Sequence, residues 1–156
     1  MPSVSRGVDT DGLSVRVAPL LTDEESQELF EANLQMAGIL PVRVELNLLN
    51  GGPLELKRAR FRVRDSQNRE WKMLTGKQAV SRIMSANGIR LYNPEGKKQF
   101  ESDFGAYVMD LKTPLDSSSV RQGFLFFQTP DKQPVKNGPL TLMIEKLPQP
   151  VSIQLN

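Results

Sequence analysis

The 156-residue chain contains no histidine and no cysteine. Without histidine, the Ser-His-Asp and Cys-His arrangements that activate a nucleophile are unavailable. Without either residue, Cys/His zinc centres and thiol redox chemistry are excluded as well. Aromatic residues are scarce, with one Trp, two Tyr and seven Phe, which leaves little for a stacking surface that reads bases or sugars. No apolar run approaches the roughly 18 residues that mark a membrane span. The net charge is only +2, so charge alone makes a weak case for a polyanion partner. Carboxylates, Lys, Tyr and Arg are all that remain for catalysis, and the expectation is of no enzyme, no cofactor and no bound metal.

What is present has the balance of a globular protein. Hydrophobic residues make up 38% and charged residues 24%, too apolar for disorder. The absence of repeats, low-complexity tracts and long linkers predicts one domain over residues 12–156, after a flexible polar lead-in over 1–11. The opening "MPSVSRGVDTDG" lacks a basic-then-apolar leader pattern. The chain is then expected either to be cytoplasmic or to begin after a removed leader.

Most segments carry period-two alternation. In "GLSVRVAPL", Leu13, Val15 and Val17 alternate with Ser14, Arg16 and Ala18 and predict a strand ended at Pro19. "TDEESQELFEANLQMAG" reads as an amphipathic helix. Thr22 and Glu25 have capping-box spacing, Gly38 is a natural stop, and Leu29, Phe30, Asn33, Leu34 and Ala37 lie near one face. Val42, Val44, Leu46 and Leu48 predict a second half-buried strand, and Asn50-Gly51-Gly52-Pro53 predicts a turn that returns 54–65 as its hairpin partner. Ala59, Phe61 and Val63 then face inward, and the out-of-phase Leu54 and Leu56 predict a bulge or bend at Lys57 and Arg58. "REWKML" is a short strand. A Thr75/Gln78 capping box begins a short helix with apolar Ala79, Val80, Ile83 and Met84, stopped at Asn87-Gly88. "IRLYNPEG" reads as a loop, and "KKQFESDFGAYVMDL" as a helix on the spacing of Phe100, Phe104, Tyr107 or Val108, and Leu111. "SVRQGFLFFQ", apolar on both phases, predicts a strand covered on both sides, and "LTLMIEKL" and "PVSIQLN" add two more strands. The sum is a mainly β chain, an antiparallel immunoglobulin-like sandwich of about seven strands with two or three helices in its connections.

Arg58, Arg60, Arg62 and Arg64 form the most regular charged pattern. Four guanidinium groups on one strand face match phosphates or anionic head groups. Phe61 points the other way, however, and Glu45 with Asp23, Glu24, Glu25, Glu28 and Glu31 on the acidic helix could neutralise the stripe internally. A solvated or internally paired face is therefore the preferred expectation. Asp9 and Asp11 in "DTDG" have the spacing that opens a calcium loop but lack its later ligands. Trp71, Tyr92 and Tyr107 as a stacking platform, and Asp103 with Glu101 or Asp110 as an acid-base pair, are weaker candidates than their plain packing and surface roles. Lys97-Lys98 reads as solvated charge at a helix start or loop, and "GFLFF" as a central core strand before a docking edge.

Two segments, "MAGILPVRVELNLLN" and "SSSVRQGFLFFQTP", resemble parts of a group of uncharacterised bacterial envelope proteins, many of lipoprotein type. The second is also similar to the late strand of telokin-like, immunoglobulin-like domains on bacterial surfaces. The resemblance spans about residues 12–147 and implies an exported domain anchored by a lipid on a cysteine upstream of this chain. It carries over no functional residue. The resulting expectation is a non-catalytic extracytoplasmic binding or scaffolding domain with a protein partner in the cell envelope. The alternative is an anionic-surface binder, of acidic lipid or nucleic acid, using Arg58, Arg60, Arg62 and Arg64, and a cytoplasmic location is the alternative compartment.

Overall fold

A computed structural model of the chain describes residues 6–10, 12–30, 32–86, 94–130, 133–135, 138–146 and 150–155, with backbone alone at 94–97. Eight antiparallel strands and three helices follow in the order β1 (Arg6–Thr10), β2 (Leu13–Pro19), α1 (Asp23–Phe30), β3 (Ile39–Leu48), β4 (Arg60–Asp65), β5 (Glu70–Leu74), α2 (Gly76–Ala86), α3 (Pro94–Gly105), β6 (Ser119–Gln128), β7 (Leu140–Glu145) and β8 (Val151–Gln154). All eight strands hydrogen-bond into one sheet in the order β1-β2-β3-β6-β5-β4-β7-β8. The two ends approach each other, with Cα atoms of β1 and β8 within 8 Å, so the sheet nearly closes on itself. The chain is mainly β and antiparallel, as expected. Among the described residues the strands number eight and not about seven, and they share one sheet where two facing sheets were expected.

Strand alternation explains the inner core. Val15, Val17, Val44, Val63, Leu142 and Ile144 point into the enclosed space and are almost fully buried. Their neighbours Arg16, Arg43 and Lys72 point out. At roughly 25 cal/mol per Å² of apolar surface removed from water, burial of this inward set contributes substantially to stability.

The helices build a second, outer core against one part of the sheet. Phe30 of α1, Val80 and Ile83 of α2 and Phe104 of α3 pack on Phe124 and Phe126 of β6. Strand β6 is thus covered on both faces, Leu125 and Phe127 inward and Phe124 and Phe126 outward, as its unbroken apolar run predicts. It lies between β3 and β5, in the middle of the sheet.

Both predicted capping boxes are present. The Glu25 N–H donates to Thr22 Oγ1 at 3.2 Å and the Thr22 N–H to Glu25 Oε1 at 3.3 Å. The Gln78 N–H donates to Thr75 Oγ1 at 3.2 Å and the Thr75 N–H to Gln78 Oε1 at 2.8 Å. Helix α1 is shorter than its pattern suggests. It stops at Phe30, and the Met36 N–H turns to the Asn33 side chain at 3.0 Å, a local bond that competes with helix. Leu34 and Ala37 remain buried in the outer core, and Gly38, at φ 75°, leads the chain into β3.

Three further expectations are corrected. The segment 54–65 is not the hairpin partner of β3, because β2 and β6 occupy both edges of β3, while β4 pairs with β5 and β7. The predicted bend at Lys57 and Arg58 is a turn, closed by the Ala59 N–H on the Leu56 carbonyl at 3.2 Å, and it sends the chain across to that new position. Helix α3 ends at Gly105, so Tyr107, Val108 and Leu111 lie beyond it and Val108 bridges to Phe124 instead. Arg6–Thr10, read from the sequence as lead-in, pairs with β2 as β1. The predicted stop at Asn87-Gly88 and most of the loop at 89–96 lie outside the described residues.

Candidate functional site

The outer core does not seal completely. Strand β5 pairs with β6 only through Lys72–Gln128, Met73–Phe127 and Leu74–Phe126, and the chain then turns into α2 at Thr75. Strand β6 continues without β5 as a neighbour. The segment after α3 approaches it there, with the Phe124 N–H on the Tyr107 carbonyl at 2.7 Å and the Met109 N–H on the Phe124 carbonyl at 3.0 Å. Gly123 permits that approach, since a Cβ there would stand 2.5 Å from Met109 Cα.

Between β5, the start of α2, the end of α3 and this segment lies a cavity of about 770 Å³. That is within the range of roughly 300–1,000 Å³ typical of small-molecule sites. Its walls are apolar: Leu74, Val80, Phe104, Val108, Phe124 and Phe126. Three exposed lysines and one half-buried acid line it too, namely Lys77, Lys98, Lys112 and Glu101. Among the described residues none of the three lysines stands within ion-pair distance of a carboxylate. Lys98, which sequence alone reads as solvated charge, is exposed and also lines this cavity. Lys97 is in α3, and its side chain lies outside the described residues.

The arginine stripe is organised differently. Arg60, Arg62 and Arg64 project outward from β4, while Arg58 lies in the exposed turn before it. Arg62 is only 19% exposed and bonds Glu70 of β5 at 3.0 Å and, on its other side, Glu145 of β7. Both acids are diagonal neighbours across the ladder, a distance that long side chains span. Arg60 reaches Glu70 only at 3.9 Å and is 55% exposed, and Arg64 donates to Asn68 at 3.2 Å. The acids that neutralise the stripe come from the flanking strands and not from the acidic helix proposed to cover it. Helix α1 packs elsewhere, with the Phe30 ring 5.5 Å from that of Phe104 and 5.3 Å from that of Phe124.

The remaining candidates do not assemble. Trp71 is buried in the inner core and donates its indole N–H to Asp65 at 3.1 Å, whereas Tyr107 stacks edge-on against Phe30 on the outside. Trp71 and Tyr107 therefore share no stacking platform, and Tyr92 lies outside the described residues. Asp9 is in β1 opposite Ser14, and Asp11, like Glu31, lies outside the described residues. Asp103 is exposed and takes the Gln99 amide at 2.8 Å, while Asp110 accepts the Lys112 N–H at 2.9 Å. Hydrogen bonds from the Thr113 hydroxyl and the Lys112 N–H hold the Asp110 carboxyl below its ordinary value. Its role is to close a turn.

One further carboxylate is shifted, and downward. Burial pushes Asp65 up, but the Arg69 N–H, the Trp71 indole, the Gln67 N–H and the Arg69 guanidinium together outweigh it and hold its pKa down. Asp65 closes the β4–β5 turn and anchors the tryptophan.

Comparison with protein-family models, curated proteins and solved structures finds no match. The site must therefore be interpreted from its own chemistry.

Proposed function

We propose that this chain is a non-catalytic binding domain and that the lysine-rimmed cavity is where it binds. The observation that carries this reading is the cavity's lining, with apolar walls, cations at the mouth and, among the described residues, Glu101 as its one carboxylate. Among the described residues no second carboxylate lines the cavity, so the paired-carboxylate arrangement of acid–base catalysis is not formed there and recognition is the reading the lining favours. Thermal-shift screening of small amphiphiles and peptides tests the reading, because a ligand that prefers the folded state raises Tm in proportion to its affinity and concentration. Stabilisation without chemical change of the ligand is the expected result. Conversion of a bound compound to product would overturn it.

The location we propose is the bacterial cell envelope, with a protein partner there and a lipid anchor upstream. It rests on the resemblance of residues 12–147, as does an immunoglobulin-like relationship, with which the single eight-stranded sheet shares only its antiparallel β character. Fractionation of cells that make the native protein should recover it with the envelope, and recovery only in the cytosol would remove this part. Binding of acidic lipid or nucleic acid through the arginines has less support. Arg62 already has two carboxylate partners, which leaves Arg58 and Arg60 as the more open cations.

A further inference from the structure

The chemistry of the cavity specifies more than binding. Its depth and its mouth differ in kind. Leu74, Val80, Phe104 and Phe126 form a floor that cannot satisfy a buried polar group, so a polar ligand body would lose its water without replacement. Lys77 from α2, Lys98 from α3 and Lys112 from the segment beyond α3 bring three positive charges to one rim, against the single negative charge of Glu101. The rim is also open at two backbone positions. A Cβ added to Gly105 would meet nothing within 4 Å, and one added to Gly76 would first meet Val108 at 3.4 Å.

We infer that the cavity takes a single-chain amphiphile with a carboxylate head, a fatty acid, with its chain against the phenylalanines and its head among the lysines. This rests on the reading of the cavity as the binding site and adds the class of ligand to it. Charge complementarity selects an anion, since the rim carries a net excess of two positive charges among the described residues. The volume of about 770 Å³ and the apolar floor select a flexible hydrocarbon body.

The test is a titration of the full chain with a fluorescent fatty acid below its micelle concentration, followed by displacement. Saturable one-to-one binding is expected, displaced by oleate and far less by a neutral or a cationic amphiphile of the same chain length. The triple variant Lys77→Glu, Lys98→Glu, Lys112→Glu changes exposed positions only and should weaken binding about tenfold or more. Ser102→Trp, at an exposed helical position that lines the cavity, should block it while leaving the thermal transition intact. Displacement by neutral, cationic and anionic amphiphiles alike would overturn the fatty-acid assignment and leave the binding cavity standing. Preference for a lysophospholipid over oleate would replace the carboxylate with a phosphate head and also overturn the assignment. Undiminished binding by the Ser102→Trp variant, or no saturable binding of any amphiphile, would overturn the cavity as the site.

Discussion

Two basic regions of the molecule invite opposite readings depending on whether they are seen in sequence or in space. The arginines at 58, 60, 62 and 64 are conspicuous in sequence, and in space Arg62 is held by two carboxylates. The lysines at 77, 98 and 112 are scattered in sequence, and in space they share one rim over an apolar floor. Regular spacing along one strand reports the geometry of that strand, because outward positions recur every second residue. Convergence of like charges from three separate elements has no such local cause. The amphiphile site proposed above would account for it.

This contrast can be broken at several points. The largest effect is expected where the cavity floor and the outer core coincide. Phe126→Ala should cost about 3–5 kcal/mol of stability in denaturant unfolding, since Phe126 is 1% exposed and its loss leaves a void. Next is Gly123→Ala, which should cost about 1–3 kcal/mol by forcing the Met109 segment off β6. A calorimetric transition within a degree or so of wild type would show that the segment yields freely.

Arg62→Ala should destabilise by about 1–2 kcal/mol, because it leaves Glu70 and Glu145 near each other without their shared cation. The same change should leave amphiphile binding untouched. If it abolished binding while stability held, the roles of the two basic regions would be reversed. Asp65 adds a pH signature to the strand side. Its folded pKa lies below its unfolded one. Its contribution is therefore present above the unfolded value and is lost as pH falls through the folded value. Asp65→Asn should flatten the acid limb of the stability–pH curve and change stability at neutral pH by about 1–2 kcal/mol. The smallest effect belongs to the rim, where Lys98→Ala should alter stability by less than about 0.5 kcal/mol, as exposed charges do.

The legible parts of the fold were those that local chemistry determines. Capping pairs at Thr22 and Thr75, the alternation of β2 and β3, and the double burial of β6 all follow from residues near one another in sequence. Strand pairing did not. Asn50-Gly51-Gly52-Pro53 has turn chemistry, yet the strand it introduces crosses to β7, while β3 accepts β6 from some eighty residues on. Period two fixes which side chains face inward and is silent on which strands are neighbours. For β1 the signal was weaker still, since RGVDT has only Val8 to offer the inner core.

The candidate site was hidden for the same reason. Lys77, Lys98 and Lys112 acquire meaning only once β5 parts from β6 and two helices close over the gap. Phe104, Phe124 and Phe126 were each legible as buried, but their common cavity was not. A sequence cue did exist in Gly123, which sits inside an apolar strand where a close backbone approach is the usual reason for glycine.

The most direct test of the central claim is a map of amide chemical shifts as oleate is added to the protein. The account predicts changes concentrated at Leu74, Lys77, Val80, Phe104, Val108 and Phe124, with Arg60, Arg62 and Arg64 unmoved. Changes confined to the arginine strand and Lys72, or no changes at all, would contradict it.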